Sequence, residues 1–152
     1  MIDDKLKSLG IELPVPMKPV ANYVPWVKSG KLIFISGQGP MTNGKVMSAG
    51  KLGSSVTLEQ GVAAARLTGI NIIAQLRDAT GGDLSKVQRI VKLVGFVSCV
   101  PEFIDHPKVV NGASDLMVEV FGEKGRHARS AVGVTSLPLD FSVEIEAIAE
   151  LE

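Results

Sequence analysis

The sequence predicts a single α+β domain, and three observations support that class. The chain has 152 residues, of which 45% are hydrophobic, which is enough for one core and typical of a globular domain. Segments with strand character outnumber those with helical periodicity, and their order is β-β-(β)-α-β-α-β-β. Two helices can cover only one face of the resulting sheet, so the other face is left without helices.

Strands are predicted where β-branched and aromatic residues cluster between turn residues. The run Leu32-Ile-Phe-Ile35 is such a cluster, and Ser29-Gly30 before it forms the turn of a first hairpin. The turn Leu137-Pro-Leu-Asp140 joins the last two strands. The predicted strands are residues 20–27, 31–36, a short one at 45–48, 88–100, 128–136 and 141–151.

Two helices are predicted from capping signals and apolar spacing. Thr57-Leu-Glu-Gln60 is a capping box, and apolar residues at spacings of three, four or seven follow it as far as Gly81-Gly82, which ends the helix. The second helix runs from about Pro107, an early first-turn residue, to Phe121. Gly112 lowers its helix propensity.

The N-terminal segment is expected to differ from the rest. Residues 1–18 mix charges with prolines and are interpreted as an irregular lead-in, and residues 19–152 form the single domain. This segment lacks the apolar stretch of a signal peptide. No apolar run reaches the roughly 20 residues needed to cross a bilayer.

Charge and cysteine content restrict the function classes. Lys plus Arg and Asp plus Glu number 16 each, so the formal net charge is zero, whereas proteins that bind nucleic-acid backbones usually carry a basic excess. The single cysteine, Cys99, cannot form an internal disulfide, so a reducing cytoplasm is the expected location. No metal-binding motif and no phosphate-binding glycine loop is recognised, and neither metal nor cofactor is expected.

The side chains of the last strand alternate between an apolar and a mixed face. In the strand before it, Val132 and Val134 are assigned to the apolar face, which places Arg129 on the mixed face beside Glu144. This mixed face is either solvated, as in many antiparallel sheets, or it meets other subunits. The apolar set is Val143, Ile145, Ala147 and Ala149; the mixed set is Glu144, Glu146, Ile148 and Glu150, together with Arg129, Ala131, Gly133 and Thr135.

Arg129 is the main candidate for a functional residue because it belongs to a strand rather than to a loop. One interpretation is a cross-strand ion pair with Glu144, which stabilises little if it is exposed. The other is a clamp for a substrate carboxylate, which the planar fork of guanidinium donors suits. Of the two histidines, His106 is interpreted as a helix-start residue and His127 as part of a solvated basic loop.

Several segments resemble the signature of the Rid/YjgF family, also known by the older names endoribonuclease L-PSP and translation inhibitor. They are Ala128-Arg-Ser-Ala-Val132, Leu137-Pro138, Val143-Glu-Ile-Glu-Ala-Ile-Ala149 and the strand-end motif Ile35-Ser-Gly-Gln38. The likeness covers nearly the whole chain from about residue 19. It implies a chorismate-mutase-like fold and a homotrimer whose sheets face inward, with clefts between subunits.

The resemblance also implies roles for individual residues. In deaminase members an arginine holds the substrate carboxylate and a glutamate on the next strand orients or activates water, and these match Arg129 and Glu144. The family's tyrosine, strand-end serine and helix asparagine match Tyr23, Ser36 and, with one inserted residue, Asn111. The implied activity is cofactor-free hydrolysis of 2-imino or enamine acids to 2-keto acids and ammonia.

Two departures from the family pattern keep alternatives open. Ala131 stands where the family often has a cysteine, and the loop of residues 39–55 is longer than usual. A non-catalytic trimeric binder of small carboxylates is therefore the second hypothesis. Ribonuclease activity or translation inhibition is the third, and zero net charge and few aromatic residues count against it. Trp26 is interpreted as a core residue rather than a cleft residue.

Overall fold

A computed structural model describes residues 1–19 and 21–152. These residues form a five-stranded sheet with three helices and a small two-stranded hairpin. The helices are α1 (Ile2–Ser8), α2 (Leu58–Ala79) and α3 (His106–Phe121). The strands are β1 (Trp26–Ser29), β2 (Leu32–Gln38), β3 (Met41–Thr42), β4 (Lys45–Val46), β5 (Val87–Ser98), β6 (Ala128–Val134) and β7 (Val143–Leu151).

The strand order of the main sheet is β1-β2-β7-β5-β6. All neighbours are antiparallel except β5 and β6, which are parallel. A parallel pair needs a crossover connection, and α3 supplies it between β5 and β6. Consequently β6 lies at the edge of the sheet, and β5 separates it from β7, although β6 and β7 are consecutive in the chain.

The core lies between one face of the sheet and the helices α2 and α3. Val143, Ile145, Ala147 and Ala149 of β7 are all buried, whereas Glu146 between them is exposed. The predicted alternation of this strand is therefore confirmed. Thr57 caps α2 with the reciprocal hydrogen bonds of a capping box, which confirms the predicted start of that helix.

Helices α2 and α3 approach closely at Gly112. A Cβ atom there would lie 2.1 Å from the carbonyl oxygen of Val62 in α2 and 3.1 Å from the backbone nitrogen of Arg66. Glycine has a low helix propensity, but at this position of α3 any larger residue would collide with the backbone of α2.

The lead-in predicted to be irregular instead begins with a helix, α1. Ile2, Leu6 and Leu9 recur at spacings of three and four and lie on one side of it. Leu6 is 5% exposed within the core cluster, and Ile2 and Leu9 pack against that cluster. Burial of this apolar stripe outweighs the polar character of the intervening residues.

The first predicted strand also differs from the structure. Val20 lies outside the described residues, residues 21–23 form a bend, and the strand starts only at Trp26. Pro25 has no N–H group to donate to a ladder, so pairing begins after it. Trp26 packs partly against the core, as predicted, and its Nε1 donates to Asp78 Oδ2 at 2.9 Å.

The long loop of residues 39–55 contains the β3–β4 hairpin and is held by α2. The side-chain amide of Asn71, which is buried, donates to the carbonyl oxygens of Gly39 and Met41 at 2.9 and 3.0 Å. The predicted short strand at 45–48 corresponds to β4. Of the helices described, none is both long and apolar enough to cross a membrane.

Candidate functional site

Arg129 lies on the helix-covered face of the sheet, not on the uncovered face that the sequence predicted. Its register partner in β5 is Leu93, which in turn pairs with Ala147 of β7, and both are buried under the helices. The prediction was wrong because it took β6 and β7 as neighbours and assigned the apolar Val132 to the core. Val132 is 44% exposed and lies in the same row as Phe96 and Glu144.

The guanidinium of Arg129 is held by two side chains of α3. Its Nη1 donates to Asn111 Oδ1 at 2.7 Å and to Ser114 Oγ at 3.2 Å. Residues 111 and 114 are three apart and therefore project from the same side of the helix. Within the described residues, the hydrogen bonds of this guanidinium involve Nη1 alone, so its other edge is available to an anion.

His127 belongs to the same cluster. Its Nε2 lies 2.9 Å from Ser114 Oγ, and its Nδ1 lies 2.7 Å from the carbonyl oxygen of Gly125. Partial burial lowers the pKa of His127; the Gly125 carbonyl opposes this shift and the Arg129 charge adds to it. The interpretation of His127 as a solvated loop residue is therefore wrong. Arg129, Asn111, Ser114 and His127 are called the arginine cluster below.

Glu144 lies in a second cluster, on the uncovered face. It is partly buried, and its carboxylate lies over Gly37 of β2, where a Cβ atom would be 2.4 Å from Oε2. Burial raises the pKa of Glu144, and the charge of Glu146 raises it further. Gly37 therefore leaves the space that the carboxylate occupies, in surroundings that favour its protonated form.

Two further predicted residues, Ser36 and Tyr23, are linked to Gly37 along the chain and by one hydrogen bond. Ser36, next to Gly37, donates its hydroxyl to the carbonyl oxygen of Val24 at 2.7 Å. This bond fixes the segment before β1, on which Tyr23 is 57% exposed. Tyr23, Ser36, Gly37 and Glu144 are called the glutamate cluster below.

A single chain keeps the two clusters apart. Arg129 and Glu144 lie on opposite faces of the sheet, and two strand spacings of roughly 4.8 Å, about 10 Å in all, separate β7 from β6. A cross-strand ion pair between Arg129 and Glu144 is thereby contradicted. The structure brings Arg129 to Asn111, and Ser36 to the neighbourhood of Glu144, but it does not join these two sets.

Sequence reasoning missed Ser114 and misjudged His127. A signal for both exists, since Ser114 is three residues after Asn111 on α3 and His127 is two residues before Arg129 on the same extended segment. Neither spacing identifies a residue that contacts Arg129 unless α3 is already known to lie over β6. Ala131, two residues after Arg129, packs partly against the core.

A separate cavity of about 660 Å³ lies at the other end of β6. Cys99 and His106, the first residue of α3, line it, with Sγ 3.5 Å from Nε2. Burial raises the pKa of the Cys99 thiol. Nowhere in residues 1–19 and 21–152 do three or more histidine, cysteine or acidic side chains come together as a metal site.

The chain is similar to a known protein family and to a known protein of another organism. The family model described as "YjgF/chorismate mutase-like, putative endoribonuclease" matches residues 3–151. Protein TCP17 of Trypanosoma cruzi is 46% identical over 147 residues, which cover 96% of this chain and 91% of TCP17.

Two solved structures illustrate the range of likeness. Protein Atu1372 of unknown function from Agrobacterium tumefaciens is 50% identical, with a TM-score of 0.94 over 99% of this chain and 92% of Atu1372. Escherichia coli TdcF with bound serine is 26% identical, with a TM-score of 0.67 over 91% of this chain and 94% of TdcF. The predicted fold is therefore confirmed.

Proposed function

The chain belongs to the YjgF/Rid family, and from that premise we propose that it is a cofactor-free deaminase of 2-imino and enamine acids. The products would be the 2-keto acid and ammonia. The reaction would take place in clefts between the protomers of a homotrimer, with Arg129 and Glu144 as the catalytic residues. Arg129, Tyr23, Ser36 and Asn111 would contact or frame the substrate.

The main support for the proposal is the kind of side chain that contacts Arg129. A structural arginine on a covered face would be expected to pair with a carboxylate, yet the partners of Arg129 are the neutral Asn111 and Ser114. They hold one nitrogen, and among residues 1–19 and 21–152 no carboxylate forms an ion pair with this guanidinium. A fixed guanidinium with an available edge is suited to bidentate binding of a small carboxylate.

The separation of the clusters supports a shared site. Since Arg129 and Glu144 lie on opposite faces of one sheet, a substrate a few ångströms long cannot touch both in one chain. Exposed apolar side chains on the uncovered face, Phe34 and Val132 among them, favour its burial against another copy. We therefore assign the arginine cluster of one protomer and the glutamate cluster of its partner to one cleft.

The chemistry needs one base and one anchor. Arg129 would hold the carboxylate so that the adjacent C=N carbon faces a water molecule on Glu144. Glu144 would take a proton from this water as its oxygen adds to the carbon and would pass it to the nitrogen, which gives a carbinolamine. The carboxylate would then take the proton of the new hydroxyl and deliver it to the same nitrogen, so that the C–N bond breaks, ammonia leaves and C=O forms. Burial and the Glu146 charge raise the pKa of Glu144, which makes its carboxylate a stronger proton acceptor than an exposed glutamate.

A coupled assay tests the activity. Fresh 2-iminobutanoate is generated by a threonine dehydratase, and release of 2-oxobutanoate is followed with wild type and with Arg129→Ala. Acceleration by wild type alone is expected. Equal acceleration by Arg129→Ala would refute the role of Arg129, and no acceleration by wild type would refute the deaminase.

A mixed-protomer experiment tests the shared cleft. Arg129→Ala and Glu144→Gln chains are each expected to be inactive, and their co-assembly in equal amounts should restore about one quarter of wild-type activity, since a quarter of clefts then pair an intact arginine with an intact glutamate. If mixing restores nothing while both variants still assemble, the two residues do not serve one cleft from different protomers.

Ala131 favours one alternative, a non-catalytic binder of small carboxylates. In that case the anchor is retained, and the protein binds 2-oxobutanoate without accelerating imine hydrolysis. Calorimetric titration with 2-oxobutanoate beside the coupled assay separates the two functions. For RNA cleavage, the zero net charge provides no general attraction to phosphates.

A further inference from the structure

A chain of hydrogen bonds lies behind Arg129, on the side away from its available edge. It runs from the Gly125 carbonyl through His127 and Ser114 to Arg129 Nη1, with distances of 2.7, 2.9 and 3.2 Å. Gly125 is buried, and a Cβ atom there would lie 2.1 Å from the carbonyl oxygen of Met117 in α3. The first link is therefore anchored where the backbone of residues 122–125 packs tightly on α3.

The direction of every bond in the chain follows from its two ends. A carbonyl only accepts, so His127 Nδ1 carries the hydrogen that points to Gly125. In the neutral imidazole Nε2 is then an acceptor, and the Ser114 hydroxyl donates to it. The oxygen of Ser114 is left with its lone pairs for Arg129, whose guanidinium only donates.

We infer that His127 and Ser114 are positioning residues that set the orientation of the Arg129 guanidinium for a substrate carboxylate. The inference rests on the proposed function and extends it to two residues that do not touch substrate. His127 fixes which way the Ser114 hydroxyl points, and this hydroxyl, with Asn111, fixes Nη1. The planar guanidinium then presents its other edge in one direction.

A second observation agrees with this assignment. Partial burial and the nearby Arg129 charge both lower the pKa of His127, and the neutral form is the one that the chain requires. A charged imidazole would place a donor at Nε2 and displace the Ser114 hydroxyl from its present orientation. The contacts of the cluster and its electrostatics therefore favour the same protonation state.

The test compares KM and kcat of His127→Leu, Ser114→Ala and the double variant in the coupled 2-iminobutanoate assay. Each single variant should raise KM about 3- to 10-fold, as expected for loss of one hydrogen bond behind a binding group, with kcat nearly unchanged. The double variant should lose no more than the larger single variant, because both residues act through one chain. Ser114→Thr, which keeps the hydroxyl, should restore wild-type KM.

His106→Gln is the matched control, since His106 also lies on α3 but contacts Cys99 instead of the arginine cluster. It should leave KM unchanged. Additive losses, a fall in kcat alone, or failure of Ser114→Thr to restore KM would overturn the inference, as a merely structural role predicts these results.

Failure of the proposed function gives a different result. If wild type does not turn over 2-iminobutanoate but binds 2-oxobutanoate by calorimetry, the deaminase is refuted and the same variants are compared by their Kd, with the same 3- to 10-fold weakening expected. Turnover or binding that these variants leave unchanged refutes the positioning role alone. If wild type neither reacts nor binds, both proposals are refuted.

Discussion

The arginine cluster and the glutamate cluster are built in different ways. Arg129 is fixed by hydrogen bonds that it donates to two side chains of α3, and His127 in turn contacts one of these, Ser114. Glu144 is placed by burial and by the space above Gly37, and both influences that shift its pKa raise it. One cluster holds a permanent charge in a defined orientation, whereas the other keeps an ionisable group in surroundings that disfavour its charge.

Under the proposed function, this difference corresponds to a division of labour between binding and proton transfer. An anion receptor works best when its donors are fixed before the ligand arrives. A group that exchanges protons works best when its pKa is close to the working pH. Substitutions in the two clusters are therefore expected to change different kinetic constants.

The largest expected effect is that of Glu144→Gln. It keeps the shape of the side chain but removes the proton acceptor, and kcat should fall about 10²- to 10⁴-fold with little change in KM. The rate of 2-iminobutanoate hydrolysis measures it. Glu150→Gln, on the same face of β7, is the control and should stay near wild type. An equal loss of kcat in this variant would contradict a specific role of Glu144.

A smaller effect is expected for Arg129→Lys. It keeps the positive charge but loses the fork and the bonds to Asn111 and Ser114, and KM should rise about 10- to 100-fold, as for loss of charge-assisted hydrogen bonds. Steady-state kinetics over a wide substrate range gives both constants. Arg126→Lys is the control, since Arg126 pairs with Glu123 at the surface, and a kcat effect of Arg129→Lys without a KM effect would contradict the division of labour.

Gly112→Ala tests whether the arginine cluster depends on the close packing of α3 against α2. The added methyl group meets the carbonyl of Val62 and forces the helices apart, which should lower the free energy of unfolding by about 1–3 kcal/mol. KM should rise because Asn111 and Ser114 move with α3. Denaturant unfolding and kinetics measure the two effects, and Asp115→Ala on the exposed side of α3 is the control; unchanged stability would mean that the backbones separate without cost.

The smallest expected effect concerns pH and stability. Because the pKa of Glu144 is raised in the folded chain, the native state binds more protons than the unfolded state, and stability from this group falls as pH rises through the shifted pKa. Glu144→Gln should therefore be more stable than wild type at neutral pH and lose this advantage below the ordinary glutamate pKa. Thermal unfolding at several pH values measures the difference, and a variant less stable at neutral pH would contradict the sign.

The elements of the fold were predictable, but their arrangement was only partly so. The capping box at Thr57, the alternation in β7 and the extent of α3 are local patterns, and the sequence contains them in full. The position of β6 depends on the crossover through α3 and cannot be deduced from strand alternation. The exposed Val132 misled the assignment of faces, since an apolar side chain is expected inside unless another copy covers it.

The members of the candidate site could likewise be proposed from the sequence one residue at a time, but their arrangement in space could not. Arg129, Glu144, Ser36 and Asn111 could be named from the motifs they occupy, whereas the separation of Arg129 from Glu144 required the strand order. Ser114 and His127 carry no motif of their own. Their contribution becomes visible only when α3 is seen to lie over the start of β6.

If the proposed cleft combines Arg129 of one chain with Glu144 of another, activity should respond to dilution. A site completed by two chains disappears when the chains separate, although each chain keeps its own core. Specific activity would then fall with protein concentration below the dissociation range, while the circular dichroism of the protein stayed constant. The chemistry would thus depend on the amount of protein present as well as on its sequence.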